Sequence, residues 1–439
     1  VEKITTIACT GDSMITRRVA TTSEPAMQAL GAILRSADVA FTNLEVLPND
    51  FCGTPVKDCG GTHLAARSWV LDDLVALGFR LFACANNHSL DYGIAGLETT
   101  IAALENRGLV YAGIGHSLAQ ARAPAYLDYS HGSIALLSCS STFASGQEAS
   151  DPRPDVPGRP GLNPLRFETV YEVTAEQFAS LRAIAEQTSL EQKRLERIAL
   201  GFLHPPKDPA IFPFLSGHFR VGERAAVRTH PHADDQAAIL ARIRDAKRRA
   251  DLVLLSVHAH EAGEHETEPA EFLIHFCRAA IDAGADLIVG HGPHRLRGME
   301  LYHGKPIFYS LGNFIAQNEL VEFLPSDGYE RLRAAPTLQP SELFLLRNDN
   351  EQRSFPAHRQ YWETVLPVCT FAGDQLQAIT VYPVSLGFGE AVHRRGRPRL
   401  ASGPTAEAIL AAFAQLSEPF GVSLSMGDGY ATVDLGHRR

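Results

Sequence analysis

The chain of 439 residues (47.7 kDa) is 45% hydrophobic and 21% charged, an ordinary globular composition that excludes collagen-like and disordered classes. Its 50 acidic residues outnumber 40 basic ones, and the net charge of −10 argues against a general binder of nucleic acid or of anionic membrane surfaces. No run approaches the roughly 18–20 apolar residues that span a bilayer.

The first apolar run, Ile4 to Cys9, breaks at Gly11-Asp12, too early for a signal-peptide core, so the expected compartment is the cytoplasm. It reads as a buried strand, as do Val39 to Phe41, Arg80 to Cys84 and Ser133 to Cys139. A proline-rich loop from Asp151 to Phe167 follows, then one long polar helix around Ala175 to Ala199 and a second loop with Pro205, Pro206, Pro209 and Pro213. Asp234 to Arg249 reads as a helix with Ile239, Ile243 and Ala246 inward and a solvated basic face. Leu252 to Val257 is a strand, Pro269 to Ala283 a helix with a core-facing stripe, and Leu287 to Val289 and Pro306 to Leu311 are strands. Residues 315–365 are irregular. The alternation predicts an α/β protein, one domain over 1–439, with insertions at 140–232 and 315–365 acting as lids. Seven cysteines form no CxxC pair; most sit in apolar runs as free thiols, and Cys52 and Cys59, which bracket a short loop, leave a disulfide open.

What ends each strand carries the functional signal. The runs terminate in Thr10-Gly11-Asp12, Asn43-Leu44-Glu45, Ala85 to Gly93 (ANNHSLDYG), His258-Ala259-His260-Glu261, Gly290 to His294 (GHGPH) and Gly312-Asn313-Phe314. One Asp or His after a strand is an ordinary cap or surface residue. Six strands that all deliver Asp, Glu, Asn or His at their carboxyl ends predict one convergent polar site, at the edge where open α/β sheets bind ligands.

These blocks, with Lys305 to Phe314 (KPIFYSLGNF), resemble the signatures of the CapA family, named for poly-γ-glutamate capsule synthesis. The resemblance covers roughly residues 4–320. It implies the calcineurin-like metallophosphoesterase fold, a four-layer αββα sandwich of two mixed sheets. It also matches Asp12 to the first-motif Asp of those enzymes, Asn87 to their metal-binding Asn, His88 to the His that protonates a leaving group, and His258, His291 and His294 to the late His ligands. The departures are Met14 where the first motif has His, Asn43 and Glu45 where the second has a bridging Asp, and a final His pair spaced i, i+3.

Three functions are compatible with this pattern. The first is an acid–base isomerase without metal or cofactor, inverting an α-carbon in the C-terminal residue of a peptide natural-product precursor, as the lasso-peptide epimerase branch of CapA-like proteins implies. The second is a hydrolase of a phosphoester or amide, dependent on one or two divalent ions (Mn, Zn or Fe). The third is a component of poly-γ-glutamate capsule biosynthesis. Loss of expected ligands favours the first, with a peptide or amino-acid-like substrate as partner and neither nucleic acid nor membrane. Catalysis is then assigned to Asp12, His294, Glu45, His88 and Asn87, and substrate binding to Asn43, Asn86, His258, His260, Arg295 and Asn313. In the metal-dependent case the ligands are Asp12, Glu45, Asn87, His258 and His291. Arg17 with Arg18, or Arg295 with Arg297, offers a clamp for a substrate carboxylate. Trp69, His63 and Tyr329 are open as pocket walls.

Overall fold

The computed structural model describes residues 3–19 and 23–436. Two mixed sheets pack face to face, and the alternation of side chains along each strand sorts the apolar residues into three layers. Ile7, Cys9, Val39, Phe41 and Leu81 of the first sheet meet Ile134, Leu136, Leu252, Leu254 and Val289 of the second in the central layer. Their sequence neighbours point outward. Ala8, Ala40 and Phe82 pack under the helices Pro25–Ser36, Val70–Leu77 and Gly93–Glu105. Val253, Leu255 and Ile288 pack under Ala233–Lys247 and Glu271–Asp282. The order helix, sheet, sheet, helix is the αββα sandwich. Helix Gly403–Ser417 adds Ile409, Leu410 and Phe413 to the central layer and closes one side of it.

The strand Ile4–Met14 organises the first sheet. It runs parallel to Val39–Asn43 and antiparallel to Glu363–Ala372, which forms a hairpin with Gln375–Ser385. These two long strands are absent from the sequence-based reading, although Gln375–Ser385 carries a period-two apolar pattern. The second sheet has a parallel centre, with Gly132–Ser140, Leu252–His258, Leu287–His291 and Lys305–Leu311, and antiparallel edges.

At one end the sheets touch through backbone. The chain leaves Lys305–Leu311 in the second sheet, turns at Gly312 (φ 64) and enters the first as Asn313–Ala316, parallel to the end of Ile4–Met14. The Asp12 N–H donates to the Gly312 carbonyl at 2.8 Å. A Cβ on Gly11 would stand 1.9 Å from that carbonyl oxygen. Asp12 therefore lies within an extended strand rather than just beyond its end, because the ladder passes from one partner to the next there.

The insertion after Ser140 is built differently from its polar-helix reading. Residues 175–199 form two helices, Ala175–Gln187 and Leu190–Ala199, broken where Thr188 bonds back to the Ile184 carbonyl and Ser189 adopts φ 59. They accompany a separate four-stranded sheet containing Phe167–Val173, Phe212–Phe214, Gly217–Val221 and Ala226–Pro231. This unit docks on the start of Glu271–Asp282 through stacked Phe167 and Phe272 rings and the Arg228–Glu271 pair. Residues 318–361 carry short helices, and Phe355 and Tyr361 reach the site end of the sandwich. Cys52 and Cys59 are free thiols.

Gly11→Ala should lower stability by about 1–3 kcal/mol, the scale of overpacking in a tight interior. Chemical denaturation read by circular dichroism checks this; an unchanged midpoint would show that the sheets can part at this contact.

Candidate functional site

Register brings the polar residues together. Asp12 is paired with Asn43 on one side and Asn313 on the other, and His258 with His291 and Ser140. Because the two sheets meet at Gly11 and Gly312, these rows face each other across a few ångströms. Gly292 reaches over to donate its N–H to Asp12 Oδ2 at 3.1 Å.

Asp12 is wholly buried and fully partnered. Asn43 Nδ2 donates to Oδ1 at 2.8 Å, His291 Nδ1 lies 3.5 Å from Oδ1, and His294 Nδ1 lies 3.5 Å from Oδ2. Burial pushes this carboxyl up, but the His294 hydrogen bond and the close approach of the His291, His294 and His258 rings outweigh it and hold Asp12 well below the ordinary carboxylate range. Glu45 is its opposite. It is equally buried, yet neither oxygen has a hydrogen-bond partner, and burial, reinforced by the charges of Asp12 and Asp91, raises it well above the ordinary range. The Nε2 atoms of His88, His258 and His294 stand 3.8, 3.9 and 3.8 Å from its Oε1. The His294 ring thus lies between the two carboxylates, and it retains some solvent exposure.

His258 and His291 share a hydrogen bond of 2.9 Å between their Nδ1 atoms; Ser256 Oγ lies 2.6 Å from His291 Nε2, and His260 Nε2 3.1 Å from His258 Nε2. Burial keeps all three imidazoles neutral: His258 is lowered well below 6.5, His291 to about 4 and His260 to about 3. The loop after His258 is tied by Glu261, whose carboxylate accepts from Ser141 and Thr142.

The ANNHSLDYG block folds as a turn. His88 Nδ1 donates to Asp91 Oδ2 at 2.7 Å, which leaves its Nε2 facing Glu45. Asp91, unassigned from sequence, is signalled by its i, i+3 spacing from His88. Asn87 lies beside His88 with its Oδ1 buried and unpartnered, whereas Asn86 spends its amide on Asn43 and Leu44. Asn313 Oδ1 accepts from His294 Nδ1 at 2.9 Å and Phe355 packs on the same ring, an aromatic wall the sequence did not reveal.

The arginine clamps fare differently. Arg297 is fully buried and donates to the carbonyls of His260, Glu261 and Glu266, so it holds the loop and is closed to substrate. Arg295, expected to bind substrate, turns to Tyr361 and to a cavity shared with Ile409 and Leu416. Arg18 is bound to Asp73 and lies over Trp69, and Arg17 lies 4.0 Å from Glu322. The polar atoms of His63 contact Cys59 and the Val56 carbonyl, and Tyr329 donates to the Leu338 carbonyl, so both are tied to their own loops.

The donor set suits a divalent ion. One atom each from Asp12, His258 and His291 lies within 4.8 Å of the others, and the same holds for Glu45, His260 and His294. Of the five ligands expected for a metal, Asp12, His258 and His291 fall in the first group and Glu45 in the second. Met14 contributes nothing, since its side chain is packed in the helix-side core.

Residues 6–318 match the model of the bacterial capsule synthesis protein family, PGA_cap. The chain belongs to that family. It is 36% identical to the protein y4sH of Sinorhizobium fredii over 443 residues, covering 98% of this chain and 93% of that one. It is 26% identical to the PGA biosynthesis protein CapA of Bacillus subtilis over 253 residues, which is 58% of this chain and 47% of the other. Among solved structures, the NAD nucleotidase of Haemophilus influenzae aligns over 93% of this chain and 55% of its own, at 10% identity and a TM-score of 0.33. The fold assignment rests on the layers described above. Among the described residues of this PGA_cap protein, no helix is long and apolar enough to cross a membrane.

The neutral histidines make stability depend on pH. An unfolded chain protonates them near 6.5, whereas folded His291 waits until about 4 and His260 until about 3. In that interval the unfolded state binds more protons, so stability falls as pH falls. Glu45 opposes this, since its raised folded pKa favours the fold as pH drops. The melting temperature should therefore decline from pH 7 to pH 4.5, and more steeply in Glu45→Gln; a flat profile in both would contradict the neutral cluster.

Proposed function

We propose that the cleft moves protons at the α-carbon of a peptide or amino-acid-like substrate and inverts its configuration without metal or organic cofactor. This is the reaction of an epimerase acting on the C-terminal residue of a peptide natural-product precursor, of the lasso-peptide kind. One observation carries the reading: two buried carboxyls flank His294, and their surroundings displace them in opposite directions, Asp12 toward the anion and Glu45 toward the neutral acid. A pair split in this way keeps one carboxyl ionised to accept a proton and the other neutral to donate a hydrogen bond in the same site.

In this proposal the substrate enters between Asp12 and His294 and opens their 3.5 Å contact; Asp12 accepts the α-proton and protonated His294 returns one from Nε2 to the opposite face of the carbon. That leaves a protonated carboxyl and a neutral imidazole, which regain their starting states by proton exchange with solvent. An amide-flanked α-carbon is a weak acid, so the negative charge that develops on the carbonyl oxygen needs donors. Neutral Glu45 and the Asn87 amide are suited to that role, and His88, oriented by Asp91, to positioning the substrate. Asn43 points an N–H at Asp12 Oδ1, where the family pattern has a bridging carboxylate; this favours a hydrogen-bonded anion there. The name of the Bacillus subtilis relative, a PGA biosynthesis protein, supports a peptide-like substrate.

A second reading, a metal-dependent hydrolase within capsule synthesis, is favoured by the two donor groups. Asp12, His258 and His291, or Glu45, His260 and His294, would hold the ion. A bound divalent ion activates water and neutralises charge on a phosphoester or amide.

The test is incubation in D₂O with a panel of short synthetic peptides bearing free C-termini and γ-glutamyl oligomers. The expected product gains one deuteron at an α-carbon, unaffected by EDTA, and the rate falls about 10²-fold or more in Asp12→Asn and His294→Ala. Cleavage of a peptide or of p-nitrophenyl phosphate that requires added Mn²⁺ or Zn²⁺, with no exchange at carbon, would transfer the assignment to the hydrolase.

A further inference from the structure

The insertion after Ser140 holds a groove that the catalytic cleft does not use. Its volume is about 800 Å³, within the range of ligand sites, and it runs between the small sheet and helix Leu190–Ala199. That helix buries no residue, and helix Ala175–Gln187 buries only Ala185. Ten of the nineteen large apolar side chains exposed among the described residues lie between 171 and 227, so the unit presents far more apolar surface than the sandwich does. Ile198, Ile211 and Phe214 line the groove, with Leu203 and Leu215 exposed at 37% and 78%.

The charges on its rim are unbalanced. Arg194 is committed to Glu191 through two contacts of 2.8 Å, and Asp208 accepts the Ala210 N–H. Lys193 and Arg197, one helical turn apart on the same face, and Lys207 on the facing loop have no ion-pair partner among the described residues. Glu168 is the remaining charge on the lining. With Glu168 and Asp208 counted, the four cations of the lining still outnumber its three carboxylates, a local excess of positive charge beside an apolar floor in a chain of net charge −10.

We propose that this groove docks an acidic, apolar-rich peptide segment: the apolar side chains enter between sheet and helix while carboxylates meet Lys193, Arg197 and Lys207. The inference deepens the function proposed above and rests on it in one respect, that the segment belongs to the substrate at a distance from the reacting carbon. The setting suits that role. The insertion leaves the second sheet at Ser140, beside the Ser141 and Thr142 contacts to the His260 loop, and it sits on the start of the helix that follows that loop. A substrate held at two places gains affinity without any new contact at the reacting centre.

The probe is a fluorescein-labelled peptide of four Leu-Glu-Glu repeats, followed by anisotropy with the full chain. It should bind, more weakly as salt is raised, and about tenfold more weakly to Lys193→Glu/Lys207→Glu, an exposed double variant whose fold is checked by circular dichroism. A Leu-Lys-Lys counterpart should not bind. Equal binding of the two peptides, absence of binding by the acidic one, or unchanged affinity in the variant would overturn the proposal. So would a variant that alters the sedimentation of the protein alone, which would make the groove a contact between two copies. Binding needs no turnover, so failure here leaves the D₂O result intact, and failure of exchange at carbon leaves this result intact.

Discussion

Everything at the site depends on the close approach of two backbones at Gly11 and Gly312. Sheets packed face to face ordinarily stand about 10 Å apart, separated by a layer of side chains. Where the chain crosses from one sheet to the other that layer vanishes, and an N–H from one strand reaches a carbonyl of the crossing. Strand ends that would otherwise sit at the two rims of a sandwich therefore converge. Asp12 from one sheet and His258 and His291 from the other become neighbours without a loop having to carry them there, and only the short turn after His291 is needed to add His294.

That convergence was legible in the sequence because strands of a parallel arrangement end at a common edge, and six of them ended in Asp, Asn, Glu or His. Asp12, Glu45, Asn87, His88, His258, His291 and His294 all belong to one largely buried cluster for this reason. Other features depend on pairing that no local pattern encodes. The strand Glu363–Ala372 was missed although only its first three residues fall in the segment read as irregular; the apolar run that follows, like the alternation of Gln375–Ser385, was available as a signal. The helix expected over 175–199 failed at Thr188-Ser189, where short polar side chains compete for backbone groups. Arg297 looked like a substrate clamp from its place three residues after His294. The turn at His294 (φ 60) ends before the strand Leu296–Tyr302 begins, and within that strand Arg297 points to the carbonyls of the His260 loop.

Burial explains why so polar a cluster can be chemically differentiated. Withdrawn from water, each group takes its protonation state from its immediate neighbours. Asp12 collects donors from Asn43, Gly292 and the histidines, while Glu45 collects none and lies near other acids. Two residues that would titrate almost together in water are thereby separated, and three imidazoles are held neutral beside them. The small sheet of the insertion follows the reverse logic, with apolar surface left open to solvent and little core of its own.

The pairing of Ile4–Ala8 with Val368–Ala372 has a consequence for how the protein is made. Once the central strand of the first sheet has emerged, one of its edges stays open until some 360 residues more have been added. At ordinary elongation rates of about 5–20 residues per second that interval is roughly 20–70 s. During it the apolar run from Ile7 to Cys9 has its parallel partner, Val39–Asn43, and no antiparallel one. A nascent chain in this condition exposes an unpaired strand edge, the feature through which incomplete sheets associate with one another.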